Sequence, residues 1–318
     1  MRAVLAAIAC AVACHATAAE PYPTRPVRFI VAAGAGGSTD ALARVVGERL
    51  APVLRQPIVY DNRPGAGGVI AGEVASRAAP DGHTLLFSTS AAIAVSVSLY
   101  KKLPYDPVRD FAPIVLVATQ PYMLIAHPSS ASSVKELIAM AKAKPGLIGF
   151  AHTGAGSGTH LTAELFMRAA QVKLMSVPYK TSTGSVTAVV SGEVPLTFTS
   201  VFFAYAQAKA GRARALAVTG SRRSPAAPEV PTFAEAGLPG YVTGNWYGVL
   251  APARTPAAIV SLLNTQINAA LKRPEVAEPL VHQGFEPAGG SPQEFAKFIR
   301  SEIAQYASVI KAAGIQAD

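Results

Sequence analysis

Runs of apolar residues along this chain switch between two periods. Val27–Ala32 is almost wholly apolar and ends in Ala33-Gly34-Ala35-Gly36-Gly37-Ser38-Thr39-Asp40. After it Leu42, Val45, Val46, Leu50, Val53 and Leu54 recur at near-helical spacing. The pattern predicts a buried strand, a glycine-rich loop and an amphipathic helix. A strand at Ile58–Tyr60 follows, then a turn over Asn62–Gly68 in which Asp61-Asn62 reads as turn chemistry. A helix from about Val69 to Arg77, a turn at Pro80-Asp81-Gly82 and a strand at Thr84–Ser88 complete this stretch.

The same alternation resumes further on. Ile114–Ala118 and Tyr122–Ala126 read as two strands interrupted by Gln120-Pro121. Ser133-Val134-Lys135-Glu136 matches a capping box and opens a helix to about Lys144. Leu147–Ala151 is a strand that runs into a second loop, Thr153-Gly154-Ala155-Gly156-Ser157-Gly158-Thr159, and a helix carrying Leu161, Leu165, Phe166 and Ala169 on one face. Shorter strand–helix pairs reach Thr219, and the Pro-rich stretch from Pro225 to Pro239 reads as an ordered surface loop with a short helix. Asn245–Ala251 is a late strand. Thr255-Pro256 starts a helix with Thr as its cap, and Ser291-Pro292-Gln293-Glu294 is a capping box for the last one.

Alternating strands and helices imply an α/β fold of mainly parallel sheets flanked by helices. Ligands of such sheets bind at the carboxyl ends of the strands. Two sheets facing each other would form a cleft with one glycine-rich loop on each wall, and the late strand would return the chain to the first half.

The 318 residues suffice for two domains, and 50% hydrophobic with 15% charged residues excludes a disordered chain. The formal charge of +9 is spread out, with Lys101-Lys102 and Arg222-Arg223 the longest basic runs, so a nucleic-acid surface is not expected. The chain opens with Met1-Arg2, an apolar run Ala3–Ala13 and the small-residue pattern Ala16-Thr17-Ala18, which reads as a secretory signal peptide over residues 1–19. Both cysteines, Cys10 and Cys14, fall inside it, so the mature chain is expected to fold without thiol chemistry or disulfides.

The two loops share a physical design. Glycines let the backbone turn tightly, and the helix start that follows offers unsatisfied N–H donors and a partial positive charge. Together these suit a small anion without a basic side chain. Thr39 and Thr159 stand where a dinucleotide fingerprint needs its third glycine, and no Gly-Lys-Ser/Thr exists, so carboxylates are favoured over nucleotides. Two other chemistries stay open. Ser157 and His160 could pair as nucleophile and base of a secreted hydrolase, although no G-x-S-x-G elbow is present. His152, His160 and Glu164 have a spacing that can hold a metal. Tyr179, Phe198, Phe202, Phe203 and Trp246-Tyr247 fall near strand ends or in loops, where aromatics shape pockets or cores.

The chain resembles the Bug-type extracytoplasmic solute receptors of tripartite tricarboxylate transporters. The resemblance runs over nearly all of Tyr22 to Gly314 and is carried by Tyr22-Pro23-Thr24-Arg25-Pro26-Val27, Ala35-Gly36-Gly37-Ser38-Thr39-Asp40 and Asn62-Arg63-Pro64-Gly65-Ala66-Gly67-Gly68. Pro80-Asp81-Gly82-His83-Thr84-Leu85-Leu86, Leu103-Pro104-Tyr105-Asp106, Val177-Pro178-Tyr179-Lys180, Pro231-Thr232 and Trp246-Tyr247-Gly248 extend it. It implies a two-lobed periplasmic binding protein of type II-like architecture that performs no chemistry and needs no cofactor or metal. Lobe 1 would be 20–120 with 246–318 and lobe 2 would be 121–245, hinged near Thr119-Gln120-Pro121 and Thr243–Trp246. Its ligand would be a dicarboxylate, a tricarboxylate or an acidic amino acid. Its partners would be membrane permease subunits or a sensor, and it would act as a monomer.

Carried over residue by residue, the resemblance implies ligand contacts at Gly36, Gly37, Ser38, Thr39 and Asp40, at Thr89 and Ser90, and at Gly156, Ser157, Gly158, Thr159 and His160. Tyr179 and Ser200 join them as candidate pocket residues. The chain departs from the family pattern at Val31-Ala32-Ala33-Gly34, at Thr181 and at Thr199-Ser200, all on the expected cleft side, so the particular acid stays open.

Overall fold

The computed structural model describes residues 22–315, so the signal-peptide reading and both cysteines lie outside the described residues. The first stretch contains β1 (Val27–Val31), α1 (Ser38–Leu54), β2 (Ile58–Asn62), α2 (Val69–Ser76), β3 (Thr84–Thr89) and α3 (Ser96–Leu99). The long strand β4 (Phe111–Ala126) leads to α4 (Val134–Ala143), β5 (Gly149–His152), α5 (Gly158–Ala170), β6 (Met175–Pro178), α6 (Ser182–Val190), β7 (Leu196–Ser200), α7 (Val201–Lys209) and β8 (Arg214–Val218). The chain ends with β9 (Gly244–Pro252), α8 (Ala257–Leu271), α9 (Pro274–His282), β10 (Glu286–Gly289) and α10 (Pro292–Ala313).

The α/β class and the two-lobed architecture expected from the sequence are present. β2-β1-β3 and β6-β5-β7 are the parallel parts. The sheets are mixed, not mainly parallel, because the chain crosses between the halves twice. β4 crosses outward and β9 returns, and each half must accept a strand running the opposite way. One half reads β2-β1-β3-β9-β4 and the other β6-β5-β7-β4, with β8 on the far side of β4. The two halves share a five-strand plan, and β10 adds a sixth strand to the first half by pairing with β4.

Several local expectations are corrected. The two strands expected around Gln120-Pro121 are one strand of 16 residues. Proline removes a ladder donor, so it is tolerated only where no ladder bond is needed. Pro121 stands at such a point: it faces Gly244, the first residue of β9, and from Tyr122 onward the partners are β7 and β8. Asp61 and Asn62 belong to β2, and Asp61 is paired with Arg28 and Arg63. Thr255 does not cap α8; its hydroxyl donates to Pro252 O at 2.7 Å, which closes the preceding turn. Ser133 accepts from Glu136 N, but the Glu136 carboxylate turns to Ser132 N at 2.7 Å, so only half of that capping box forms. The box at Ser291 and Glu294 is complete. The short helix expected between Pro225 and Pro239 does not form. Turns and a bridge from Val218 to Thr232 carry that stretch, with Phe233 buried beneath.

Apolar residues alternate across the first sheet into two cores. Val27, Phe29, Leu85, Phe87 and Val249 meet α1 and α8 on one face. Ile30, Leu86, Trp246 and Leu250 meet the Ala91–Val95 turn and α10 on the other. α5 reaches across from the second half, and Leu161 joins this second core.

Candidate functional site

The strand registers decide where the two glycine loops point. β3 is antiparallel to β9, with Thr89 opposite Tyr247, so its carboxyl end approaches the start of β9 at the crossover. β7 is antiparallel to β4, with Ser200 opposite Tyr122, so its carboxyl end approaches the same crossover from the other half. β1 runs with β3 and β5 runs with β7. Both glycine loops therefore leave their sheets toward the crossover and face each other across it. Gly156 confirms the proximity: a Cβ built on it would lie 3.1 Å from Leu99 of the first half.

The loops are one turn built twice, about 120 residues apart. In the first, Gly37 N approaches Gly34 O at 3.5 Å, Ala41 N donates to Gly37 O at 2.9 Å, and Gly36 N donates to Asp40 Oδ2 at 2.9 Å. In the second, Ser157 N donates to Gly154 O at 3.2 Å, Leu161 N to Ser157 O at 2.9 Å, and Gly156 N to His160 Nδ1 at 3.0 Å. Gly36 and Gly156 occupy the equivalent position with φ of +80° and +73°, a conformation that costs glycine little and other residues more. One i,i+4 pair braces each turn: Asp40 with Arg44 at 3.0 Å, and His160 with Glu164 at 3.5 Å.

Asp40 is only 3% exposed. Burial pushes its carboxyl up, but hydrogen bonds from Arg44, Gly36 and Asn62 outweigh this and hold it below the usual carboxylate range. Asn62 Nδ2 donates to both Asp40 Oδ1 and Ala33 O at 3.1 Å, and the Arg44 guanidinium lies over the Tyr60 ring at 4.6 Å. His160 Nδ1 accepts a backbone N–H, so in the neutral ring the proton is on Nε2, facing Glu164. His152 is bound the same way. Its Nδ1 accepts from Gly154 N at 3.1 Å, and its Nε2 meets Ser176 Oγ at 2.7 Å. The two imidazoles stack with centroids 4.4 Å apart. Burial, followed by the neighbouring His160, pushes the His152 ring below its ordinary value.

With those groups committed to the turn, the first amides of each helix point outward. Among the described residues, the N–H groups of Ser38, Thr39 and Asp40 and those of Gly158 and Thr159 have no acceptor. Ser38 and Gly158 are exposed, and Thr39 and Thr159 lie just beneath. Thr159 Oγ1 accepts from Thr153 N at 3.1 Å. Thr89 and Ser90 are buried at the end of β3, with Ser90 Oγ donating to Asn245 Oδ1 at 2.6 Å. Ser200 ends β7 and starts α7 without a side-chain cap. The Tyr179 hydroxyl is committed to Glu193 Oε1 at 2.8 Å.

Two sequence readings do not survive. Ser157 Oγ accepts from His160 N at 3.3 Å, while the His160 ring nitrogens face Gly156 and Glu164, so no serine–imidazole pair exists. His152 and His160 stack with their nitrogens turned to different partners, and no metal-holding cluster of three side chains occurs among the described residues. Asn62, Asn245 and Tyr122 are not among the expected site residues. The Tyr122 hydroxyl lies 2.2 Å from where a Gly158 Cβ would stand, so it packs directly against the start of α5. The alignment of Arg44 with Glu164, each four residues after its loop acceptor, was available in the sequence; Asn62 read as a turn residue and Asn245 as the start of a strand.

A separate cavity of about 210 Å³ opens at the crossover against Trp246, Phe298, Glu286 and Glu302 and touches neither loop. Burial pushes the Glu302 carboxyl up to about 7, only partly offset by the hydrogen bond from Trp246 Nε1 at 3.1 Å. A raised acid binds its proton more tightly in the folded state, so its contribution to stability falls as pH rises from the unfolded value of 4.5 towards 7. Glu302→Gln is expected to flatten this part of the profile of urea midpoint against pH. An unchanged slope would contradict the assignment.

Two α/β lobes joined by crossing strands, with matched helix starts facing a gap, define the class of two-lobed solute receptors. The comparisons place the chain within it. Residues 42–315 match the tripartite tricarboxylate transporter family receptor, and the chain belongs to that family. It is 39% identical over 298 residues to Protein BugT of Bordetella pertussis, covering 93% of this chain and 91% of that one. It is similar in structure to an R. palustris protein solved with adipate, with a TM-score of 0.78, 38% identity, and 93% and 99% of the two chains covered. It is also similar to MatC from Rhodopseudomonas palustris with bound malate, with a TM-score of 0.74, 32% identity, and 91% and 100% covered.

Proposed function

We propose that this protein is a periplasmic receptor that closes two lobes on a small organic dicarboxylate and passes it to membrane permease subunits. One observation carries the reading: the same amide-presenting turn occurs twice, and the two copies face each other. A carboxylate at each end of a short ligand would take one copy each. The amides of Ser38, Thr39 and Asp40 would hold one end, and those of Gly158 and Thr159 the other. The hydroxyls of Ser38, Thr39, Ser157 and Ser200, with Thr89 and Ser90 at a strand end, would add donors or acceptors. Gly36, Gly37, Gly156, Asp40 and His160 serve by fixing the turns, and Tyr179 by packing at the lobe 2 edge. Adipate and malate in the two similar structures support this ligand class.

In this reading lobe 1 is 20–120 with 246–318, lobe 2 is 121–245, and they move about 119–121 and 243–246 as a monomer without catalysis. Calorimetric titration with malate, adipate, citrate and aspartate tests it. At least one is expected to bind and to stabilise the fold by linkage, about 2.7 kcal/mol at a hundred times Kd. No heat and no stabilisation from any organic acid would overturn it.

A further inference from the structure

We infer that the Tyr122 hydroxyl donates to the ligand carboxylate at the start of α5, taking the place in lobe 2 that Ser38 holds in lobe 1. The inference rests on the receptor reading and adds to it a ligand contact from a crossing strand. The two turns align residue by residue: Gly36 with Gly156, Gly37 with Ser157, Ser38 with Gly158 and Thr39 with Thr159. Ser38 gives the start of α1 a hydroxyl, whereas Gly158 gives the start of α5 no side chain at all.

Tyr122 fills that place from another element. A Cβ built on Gly158 would overlap the Tyr122 Oη and lie 3.2 Å from its Cζ. A serine hydroxyl is one bond beyond its Cβ, so the Tyr122 hydroxyl stands in the space that a serine side chain at 158 would use. Glycine at 158 is what lets it come so close. The N–H groups of Gly158 and Thr159 at this helix start have no acceptor among the described residues.

The hydrogen bonds around the loop leave this hydroxyl free. Thr153 Oγ1 and Ser157 Oγ meet Thr159 Oγ1 at 3.1 Å and 3.2 Å, and Ser157 Oγ also accepts from His160 N. The loop's own hydroxyls are thus engaged with one another or with the turn. Among the described residues the hydrogen bonds of Tyr122 are those of its backbone. Burial pushes its phenol up to about 12, so the O–H keeps its proton wherever a carboxylate is ionised. A hydroxyl donor without an acceptor, beside two amides without one, is completed by an anion.

The backbone fixes where this ring starts. Tyr122 N donates to Thr219 Oγ1 at 2.8 Å, and Thr219 N donates to Tyr122 O at 2.8 Å. Thr219 Oγ1 donates in turn to Thr243 O at 2.6 Å, just before β9. Tyr122 is therefore held where both crossing strands pass, opposite Ser200 of β7. A ligand that takes this bond is tied to the crossover as well as to α5.

Tyr122→Phe removes the O–H and keeps the ring. Affinity for malate, adipate, citrate and aspartate is measured by calorimetric titration of both proteins at neutral pH, and stability without ligand by urea midpoint. For whichever acid binds, the variant is expected to lose about tenfold or more in affinity, the scale of a hydrogen bond to a charged group. Its ligand-free urea midpoint is expected to match the wild type, because the hydroxyl has no protein partner to lose. In wild-type protein labelled with carbon-13 at tyrosine Cζ, the Tyr122 signal is expected to move as the acid binds. If none of the acids binds the wild type, the receptor reading falls and this contact with it. If the wild type binds and the variant matches it within about threefold, the receptor reading stands and the contact is overturned. Affinity and ligand-free midpoint falling together would make the hydroxyl a structural group and overturn it too, as would a Tyr122 signal that stays still at saturation.

Discussion

Asp40→Ala is expected to abolish measurable dicarboxylate binding and to cost about 1–3 kcal/mol of stability, the range for leaving hydrogen-bond donors without their acceptor. The carboxylate accepts from Gly36 N, Arg44 Nε and the half-buried Asn62 Nδ2, so its loss leaves three donors without their acceptor. Gly36 then has nothing to hold it folded back, and Asn62 no longer ties the end of β2 to the loop. The amides of Ser38 and Thr39 are aimed only by that geometry, so affinity goes with the turn. Asp40→Asn keeps one acceptor oxygen and should fall between the two. Acid titration adds a signed test. The folded carboxyl lies below its unfolded value of 3.8. Its contribution is therefore full above that value and is lost as pH falls through the lower folded one. Urea midpoints between about pH 5 and pH 3 should fall more steeply in the wild type than in Asp40→Ala. Binding unchanged in Asp40→Ala, or a stability loss within about 0.5 kcal/mol, the ordinary surface range, would refute the bracing role.

The loops were legible because every part of them is local. A strand, a glycine at positive φ, a helix start and an acceptor four residues on lie within one stretch of chain. What lay across the chain was not legible. Asn62 reaches Asp40 and Asn245 reaches Ser90 only once β1, β2, β3 and β9 have paired. Sequence adjacency misled at Ser157 and His160. A cap residue and the third residue of its helix are joined from side chain to backbone N–H, not from side chain to side chain, so closeness in sequence did not make a dyad. Pro121 misled for the opposite reason. Its missing donor reads as a strand end, yet it falls where β4 changes partners and no donor is needed. The antiparallel crossing strands were hidden because strand direction depends on which half of the molecule receives each strand.

Trp246→Ala is expected to cost about 3–5 kcal/mol, the range for truncating a fully buried large aromatic, and to loosen the crossover selectively. Trp246 is 1% exposed and is the single tryptophan of the chain. It lies opposite Thr119 on the crossing ribbon, packs edge-on to Phe295 at 5.5 Å and Phe298 at 5.8 Å, and donates to Glu302. One side chain thus ties the ribbon to α10, and α10 also meets α5 of the other half through the Arg168 to Ser308 hydrogen bond. In the proposed closure about this ribbon the strands bend while their anchorage on α10 stays fixed. Removing the anchor opens a cavity and leaves Glu302 without its donor, so the loss should exceed that of Trp246→Phe, which retains most of the apolar contact but not the N–H. Hydrogen exchange then separates anchorage from general stability. The amides of Gly244–Tyr247 and Thr119–Tyr122 should speed up in Trp246→Ala by a larger factor than those of β1 or β5. Uniform acceleration across both sheets would mean that Trp246 is ordinary core, with no particular hold on the crossover.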